Sequence, residues 1–118
     1  MRLLVVDDEP TFGQFVRDVA EAMGYEVTVT ETVDAFRSAY ETANPDVVVM
    51  DVVMPEEDGV QLMQWLADVN SRARLIIISG FNPIYIRMID SLASSRGLCV
   101  AATLQKPVPL ATLRQALS

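Results

Sequence analysis

Residues 1–24 read MRLLVVDDEPTFGQFVRDVAEAMG and contain one complete strand–helix unit. The run 3–6 is short, apolar and rich in valine, which is typical of a strand covered on both faces. After it, apolar residues recur at helical spacing, and Pro10 suits the first turn of a helix. This unit predicts a buried strand that delivers two adjacent carboxylates, Asp7 and Asp8, to the surface.

The same unit recurs along the chain. Five apolar runs, each followed by a helical stripe, predict strands at 3–6, 25–30, 47–50, 75–78 and 98–104. The run 25–30 alternates apolar and polar residues and therefore predicts an edge strand, whereas the other four suit strands covered on both faces. Strands that alternate with helices favour an α/β fold with a mainly parallel sheet and helices on both faces. The length of 118 residues fits one domain, 1–118.

The net charge limits the kinds of partner that the protein can bind directly. The net charge is −7 and the pI is about 4.4, which argues against nucleic acid and anionic membranes as direct partners. The chain has no histidine, so histidine-dependent triads and most zinc sites are excluded.

Cys99 is the one cysteine and lies in an apolar stretch, so it is expected to be a small core residue. We expect a cytoplasmic location, because the sequence contains neither a signal-peptide pattern nor an apolar run of about 20 residues.

Polar residues follow four of the predicted strands. Asp7-Asp8 follows the first strand, Asp51 the third, Ser79 the fourth and Lys106 the fifth. Because the carboxyl ends of parallel strands lie at one edge of a sheet, we expect these side chains to converge there.

A cluster of three carboxylates needs a cation. Two carboxylates about 5 Å apart repel by roughly 3 kcal/mol at an effective dielectric near 20. Mg²⁺, with its preference for oxygen ligands, fits the donor set better than Zn²⁺ does. Taken singly, each residue has a plainer reading: Asp8 as a helix cap, Asp51 as a solvated strand end.

Four stretches resemble the receiver domains of two-component response regulators: VVDDEP at 5–10, VVVMDVVMPEEDG at 47–59, IIISG at 76–80 and LQKP at 104–107. The second is the most specific. The resemblance covers the whole chain and implies a doubly wound, flavodoxin-like sheet of five parallel strands in the order 2-1-3-4-5, flanked by five helices.

The resemblance also implies the role of each site residue. Asp51 would be the phosphoacceptor, and Asp7, Asp8, Asp51 and the backbone carbonyl of Val53 would bind Mg²⁺. Ser79 would donate a hydrogen bond to the phosphoryl group, and Lys106 would pair with it. The Lys106–Pro107 peptide would be cis.

The implied partners are those of a signalling switch rather than of a metabolic enzyme. A histidine kinase or phosphotransfer protein of a phosphorelay would supply the phosphoryl group. An output domain or effector would contact the face formed by helix 4, strand 5 and helix 5, and this face could also support a homodimer.

Two features depart from the usual receiver pattern. Thr103 stands where most receivers carry Tyr or Phe, three residues before the strand-five lysine. The span 79–106 is long, and it is similar to receivers attached to EAL-type cyclic-di-GMP phosphodiesterase domains. In this span Phe81, Ile84, Tyr85 and Met88 predict an apolar surface, which suggests an interface.

Two other classes of function compete with a phosphorylatable receiver. The first is an atypical receiver that acts as an interaction module without phosphorylation. The second is a different enzyme on a similar sheet, but the sequence lacks a Gly-x-Gly-x-x-Gly loop, and the acids after strand one would repel a flavin phosphate. A dehalogenase-type phosphatase needs an aspartate at position 53, where this chain has Val53.

Overall fold

The computed structural model describes residues 1–52, 59–80 and 83–118. Within these ranges the chain forms five strands and five helices in strict alternation. In chain order they are β1 (Arg2–Val6), α1 (Pro10–Ala22), β2 (Glu26–Thr30), α2 (Val33–Ala43), β3 (Val47–Asp51), α3 (Gly59–Asp68), β4 (Arg74–Ser79), α4 (Pro83–Ser95), β5 (Cys99–Gln105) and α5 (Leu110–Ala116).

The strands form one parallel sheet in the order β2-β1-β3-β4-β5. The predicted α/β class, strand order and edge position of β2 are confirmed. Strands β1, β3 and β4 extend one residue beyond the predicted run at one or both ends, because backbone pairing continues past the apolar residues. Strands β2 and β5 instead begin one residue later than predicted, and β5 also ends one residue later.

A separate hydrophobic cluster fills each face of the sheet. On one face, buried side chains of β1, β3 and β4 pack against α2, α3 and α4, with Phe36 and Leu66 among the fully buried residues. On the other face, Leu3, Val49 and Ile78 pack against α1 and α5. The three inner strands are therefore covered on both faces, as their apolar runs predict.

The junction between β3 and α3 is tightly packed. The Gly59 N–H donates a hydrogen bond of 2.9 Å to the Val52 carbonyl oxygen. A Cβ atom at position 59 would lie 2.6 Å from the Cβ of Val52. Glycine is therefore required here for α3 to begin beside the residue that follows Asp51.

Strand β5 departs from the prediction. Among the described residues it pairs only with β4, and its own residues alternate between exposed and partly buried. Val100 pairs with Leu75 and Ala102 with Ile76, so Ala101 is an extra residue at a bulge. The expectation that Cys99 is a core residue is wrong, since Cys99 is exposed on this edge strand.

The bulge changes which face the following residues occupy. Val100 packs with the cluster under α2, α3 and α4, whereas Ala102 and Leu104 pack with the cluster under α1 and α5. Thr103 pairs with Ile77, a member of the first cluster, so Thr103 lies on the α4 side of the sheet. It is exposed there.

Across the described ranges, each helix is too short or too polar to cross a membrane.

Candidate functional site

The carboxyl edge of the sheet gathers the predicted site residues. Val6 pairs with Met50, so Asp7 and Asp51 follow at the same level on the neighbouring strands β1 and β3. Asp51 in turn pairs with Ile78, and Ser79 is the next residue of β4. Strand register alone therefore places three of the predicted side chains on adjacent strands.

Three carboxylates converge at this edge. Asp7, Asp8 and Asp51 each present an oxygen, and these oxygens all lie within 4.8 Å of one another. Asp7 is 1% exposed and Asp51 is 6% exposed, whereas Asp8 faces solvent. Two buried carboxylates with a third at the mouth of the site form a set of oxygen donors that suits a hard divalent cation.

Asp7 is held in place by the backbone. The Glu9 N–H donates a hydrogen bond of 2.8 Å to the Asp7 Oδ1, which fixes the orientation of the carboxylate. Burial raises the pKa of the Asp7 carboxyl above its ordinary value, and the hydrogen bond from Glu9 and the contact with Lys106 do not cancel that effect.

The plainer reading of Asp8 as a helix cap is not supported. The N-cap position of α1 is occupied by Glu9, and no side chain caps the helix there. Asp8 therefore lies outside the helix, with its carboxylate beside those of Asp7 and Asp51.

Lys106 is the cation in the centre of the site. Its Nζ lies 3.0 Å from Asp7 Oδ2, 3.3 Å from Asp51 Oδ2 and 2.7 Å from Glu9 Oε1. Burial alone lowers the pKa of Lys106, but its hydrogen bonds to Glu9 and Asp7 and the charge of Asp51 outweigh burial and raise the pKa above its ordinary value. Lys106 therefore carries its positive charge at neutral pH.

The backbone at Lys106 is also fixed. The Lys106 N–H donates to the Ser79 carbonyl oxygen at 2.9 Å, which ties the end of β5 to the end of β4. The Lys106–Pro107 peptide is cis, as predicted. The Ser79 side chain is fully buried at the end of β4.

The predicted ligand Val53 lies outside the described residues, as do Phe81 and Asn82.

Sequence reasoning missed Glu9 and Phe12. Glu9 makes the shortest contact to Lys106, and the Phe12 ring centroid lies 4.6 Å from Lys106 Nζ. An acid directly after the aspartate pair was the available signal for Glu9. Both residues border an open cleft of about 550 Å³ beside the carboxylates, which is lined by Glu9, Thr11, Phe12, Phe15, Gly80, Lys106, Pro107 and Val108.

A second feature is an exposed apolar stripe on α4. Ile84 is 69% exposed and Met88 is 44% exposed, and Leu92 continues the stripe one turn further along. Tyr85 instead packs in part against the core. Together with Thr103 on β5 and Leu110 on α5, which are also exposed, these residues define what we call the α4–β5–α5 face.

Comparison with known proteins gives a consistent result. A family model described as the response regulator receiver domain matches residues 3–118. The chemotaxis protein CheY of Bacillus subtilis is 32% identical over 80 residues, a stretch that covers 66% of this chain and 66% of that protein. The response regulator protein GraR of Staphylococcus haemolyticus is 31% identical over 84 residues, which cover 71% of this chain and 38% of GraR.

The chain therefore spans about two thirds or less of the length of these curated relatives. Among solved structures, a response regulator receiver domain protein from Clostridium thermocellum is 28% identical, with a TM-score of 0.79 over 98% of this chain and 90% of that one. CheY4 of Vibrio cholerae, at 20% identity, has a TM-score of 0.83 over 98% of this chain and 94% of that one, and it shows the fold alone.

Proposed function

The chain belongs to the response regulator receiver family, and on that premise we propose that Asp51 is its phosphoacceptor. Receiver domains are signalling switches that accept phosphoryl groups from histidine kinases and act on outputs. The observation that supports Asp51 is that its carboxylate lies beside two other carboxylates and one ammonium group. Oxygens of Asp7, Asp8 and Asp51 lie within 4.8 Å of one another, and Asp51 Oδ2 lies 3.3 Å from Lys106 Nζ.

In the proposed transfer, an oxygen of the Asp51 carboxylate forms a bond to phosphorus in line with the donor. The bond from phosphorus to the donor's imidazole nitrogen breaks, and its electron pair stays on that nitrogen. Negative charge on the transferring oxygens then lies within reach of the Lys106 ammonium group. Lys106 stabilises that charge, and the buried Ser79 hydroxyl is proposed to donate a hydrogen bond to the same group.

Receiver domains bind Mg²⁺ in an acidic pocket, and the carboxylates of this chain fit that ion. Asp7, Asp8 and Asp51 would hold it, with the Val53 backbone carbonyl as the proposed fourth protein ligand. When bound, the ion neutralises charge on the phosphoryl oxygens. The hydrogen bond from the Glu9 N–H already orients the Asp7 carboxylate.

We place the output at the α4–β5–α5 face. The support is its exposed apolar stripe, led by Ile84 and Met88, which is unusual for a surface that stays in water. An output domain or a second copy of the chain would cover this stripe, and direct binding of nucleic acid is disfavoured by the net charge of −7.

We further propose that residues 1–118 form the receiver unit of a cytoplasmic protein. The attachment of an EAL-type phosphodiesterase domain is proposed from the long span between Ser79 and Lys106 alone.

The alternative of an interaction module without phosphorylation has less support, because the site carries all of the charged groups that the chemistry needs. Thermal stability distinguishes the two. A phosphorylatable site predicts a melting temperature that rises with Mg²⁺ concentration, whereas a module with an inactive site predicts no response.

The test of the proposal is phosphorylation by acetyl phosphate with Mg²⁺, followed by mass spectrometry of the intact protein. We expect a mass increase of one phosphoryl group that Asp51→Asn abolishes. Asp18→Asn, an exposed aspartate on α1, is the matched control and should be phosphorylated normally. If Asp51→Asn still accepts the group at the rate of the unmodified chain, Asp51 is not the acceptor.

A further inference from the structure

Glu9 differs from the other partners of Lys106. Its Oε1 makes the shortest of the three carboxylate contacts to Lys106 Nζ, 2.7 Å against 3.0 Å for Asp7 and 3.3 Å for Asp51. Its side chain is 58% exposed, whereas the side chains of Asp7 and Asp51 are 2% and 6% exposed. The closest partner of this partly buried lysine is thus the one partner whose carboxylate is already exposed to water.

All three N–H donors of the Lys106 ammonium group are engaged. A lysine ammonium has three N–H donors, and Asp7, Glu9 and Asp51 take one each. A new hydrogen bond from Lys106 to a phosphoryl oxygen must therefore replace an existing one.

Glu9 is the partner whose release costs least. In the metal-free resting state, release of Asp7 or Asp51 would leave a buried carboxylate without this counter-charge, and Asp7 is also held by the Glu9 N–H. Release of the Glu9 carboxylate returns an exposed group to water, which costs little. The Phe12 ring centroid lies 4.6 Å from Lys106 Nζ, and this cation–π contact does not depend on Glu9.

We propose that Glu9 is a positioning residue that holds Lys106 in the resting state and competes with the phosphoryl group for it. The inference rests on the proposed role of Asp51 as phosphoacceptor. In this arrangement Glu9 stabilises the unphosphorylated state, and the strength of its contact sets how readily Lys106 turns to the transferring group. Its removal therefore favours phosphorylation.

The first experiment measures the rate of Asp51 phosphorylation by acetyl phosphate with Mg²⁺. We expect Glu9→Gln to raise this rate by roughly two- to fivefold, the range given by an exposed ion pair. Glu31→Gln is the matched control: it removes an exposed carboxylate after β2, at the same edge of the sheet, and should leave the rate unchanged. An unchanged or lower rate in Glu9→Gln overturns the proposal, and so does an equal increase in Glu31→Gln.

A double-variant comparison separates an effect through Lys106 from simple repulsion of the donor. In a Lys106→Gln background, Glu9→Gln should no longer change the rate. If the same increase persists there, Glu9 acts on the donor's charge rather than on Lys106, and the proposal fails.

A measurement without phosphorylation keeps this inference separate from the proposed function. In protein labelled with ¹⁵N-lysine, exchange of the Lys106 ammonium protons with water reports how firmly the group is held. We expect faster exchange in Glu9→Gln than in the unmodified chain and in Glu31→Gln. Faster exchange with no phosphoryl adduct in any variant would reject Asp51 as acceptor while upholding the Glu9 contact; unchanged exchange rejects the contact.

Discussion

The carboxyl edge of the sheet and the α4–β5–α5 face differ in composition. The edge is a cluster of charged side chains, whereas the face is an exposed surface with large apolar side chains. At the edge, two buried carboxylates and one exposed carboxylate surround one lysine, and each of its three contacts is 3.3 Å or shorter. On the face, large apolar side chains such as Ile84 and Met88 stand in solvent, and Thr103 occupies the strand between them and α5. The charged groups of the edge are paired within the chain, whereas the face is proposed to be covered by an output domain or a second copy of the chain.

This difference indicates where mutations should be costly. Electrostatic groups in low-dielectric surroundings depend on one another, so removal of one leaves the others uncompensated. Exposed apolar groups make few internal contacts, so their removal should change recognition and leave stability nearly unchanged.

The largest effect is expected for Lys106→Met without metal. The change leaves Asp7 and Asp51 without their shared counter-charge, and we expect a loss of about 3 kcal/mol in the free energy of unfolding, the lower end for breaking a buried pair. Urea denaturation midpoints provide the measurement. Arg87→Met, which removes an exposed cation from α4, is the control and should stay within about 0.5 kcal/mol. Equal losses of stability in the two variants would show that the edge is no more sensitive to substitution than the face.

A smaller effect of opposite sign is expected for Asp51→Asn without metal. Asp7, Asp8, Glu9 and Asp51 together carry more negative charge than Lys106 can balance, so one carboxylate fewer should relieve repulsion. We expect a gain of about 1 kcal/mol in the free energy of unfolding, less than the full repulsion between two carboxylates, because loss of the attraction between Lys106 and Asp51 offsets part of the gain.

The measurement is again the denaturant midpoint, with Asp18→Asn as the control for a change of net charge far from the cluster. A clear loss of stability in Asp51→Asn would mean that the attraction between Lys106 and Asp51 outweighs the repulsion among the carboxylates.

The sheet was predictable because its inner strands follow a simple rule. A strand buried on both faces must be apolar throughout, so β1, β3 and β4 stand out in the sequence, and the strand-end rule then places Asp7, Asp51 and Ser79 at one edge. Strand β5 was less predictable. Its apolar run does not reveal the bulge at Ala101, because a bulge depends on pairing with β4 rather than on local residue type.

The same limit applies within the site. The residues at strand ends follow from topology, but the contact between Glu9 and Lys106 does not. Glu9 lies past the strand, at the start of α1, and its side chain could equally face solvent. Only the path of the chain between β1 and α1 brings it within 2.7 Å of Lys106 Nζ.

The smallest effect is expected at Thr103, and it tests how edge and face communicate. Thr103 is exposed beside α4, and it is too small to fill the space that an aromatic ring would leave. We therefore expect Thr103→Ala to change stability by less than about 0.5 kcal/mol. The phosphorylation-dependent shifts of the Met88 and Leu92 amide signals in NMR spectra should also remain. Ser79→Ala should weaken those shifts, because Ser79 is the buried group proposed to contact the phosphoryl. If Thr103→Ala abolishes the shifts instead, the coupling between the edge and the face runs through Thr103 on β5.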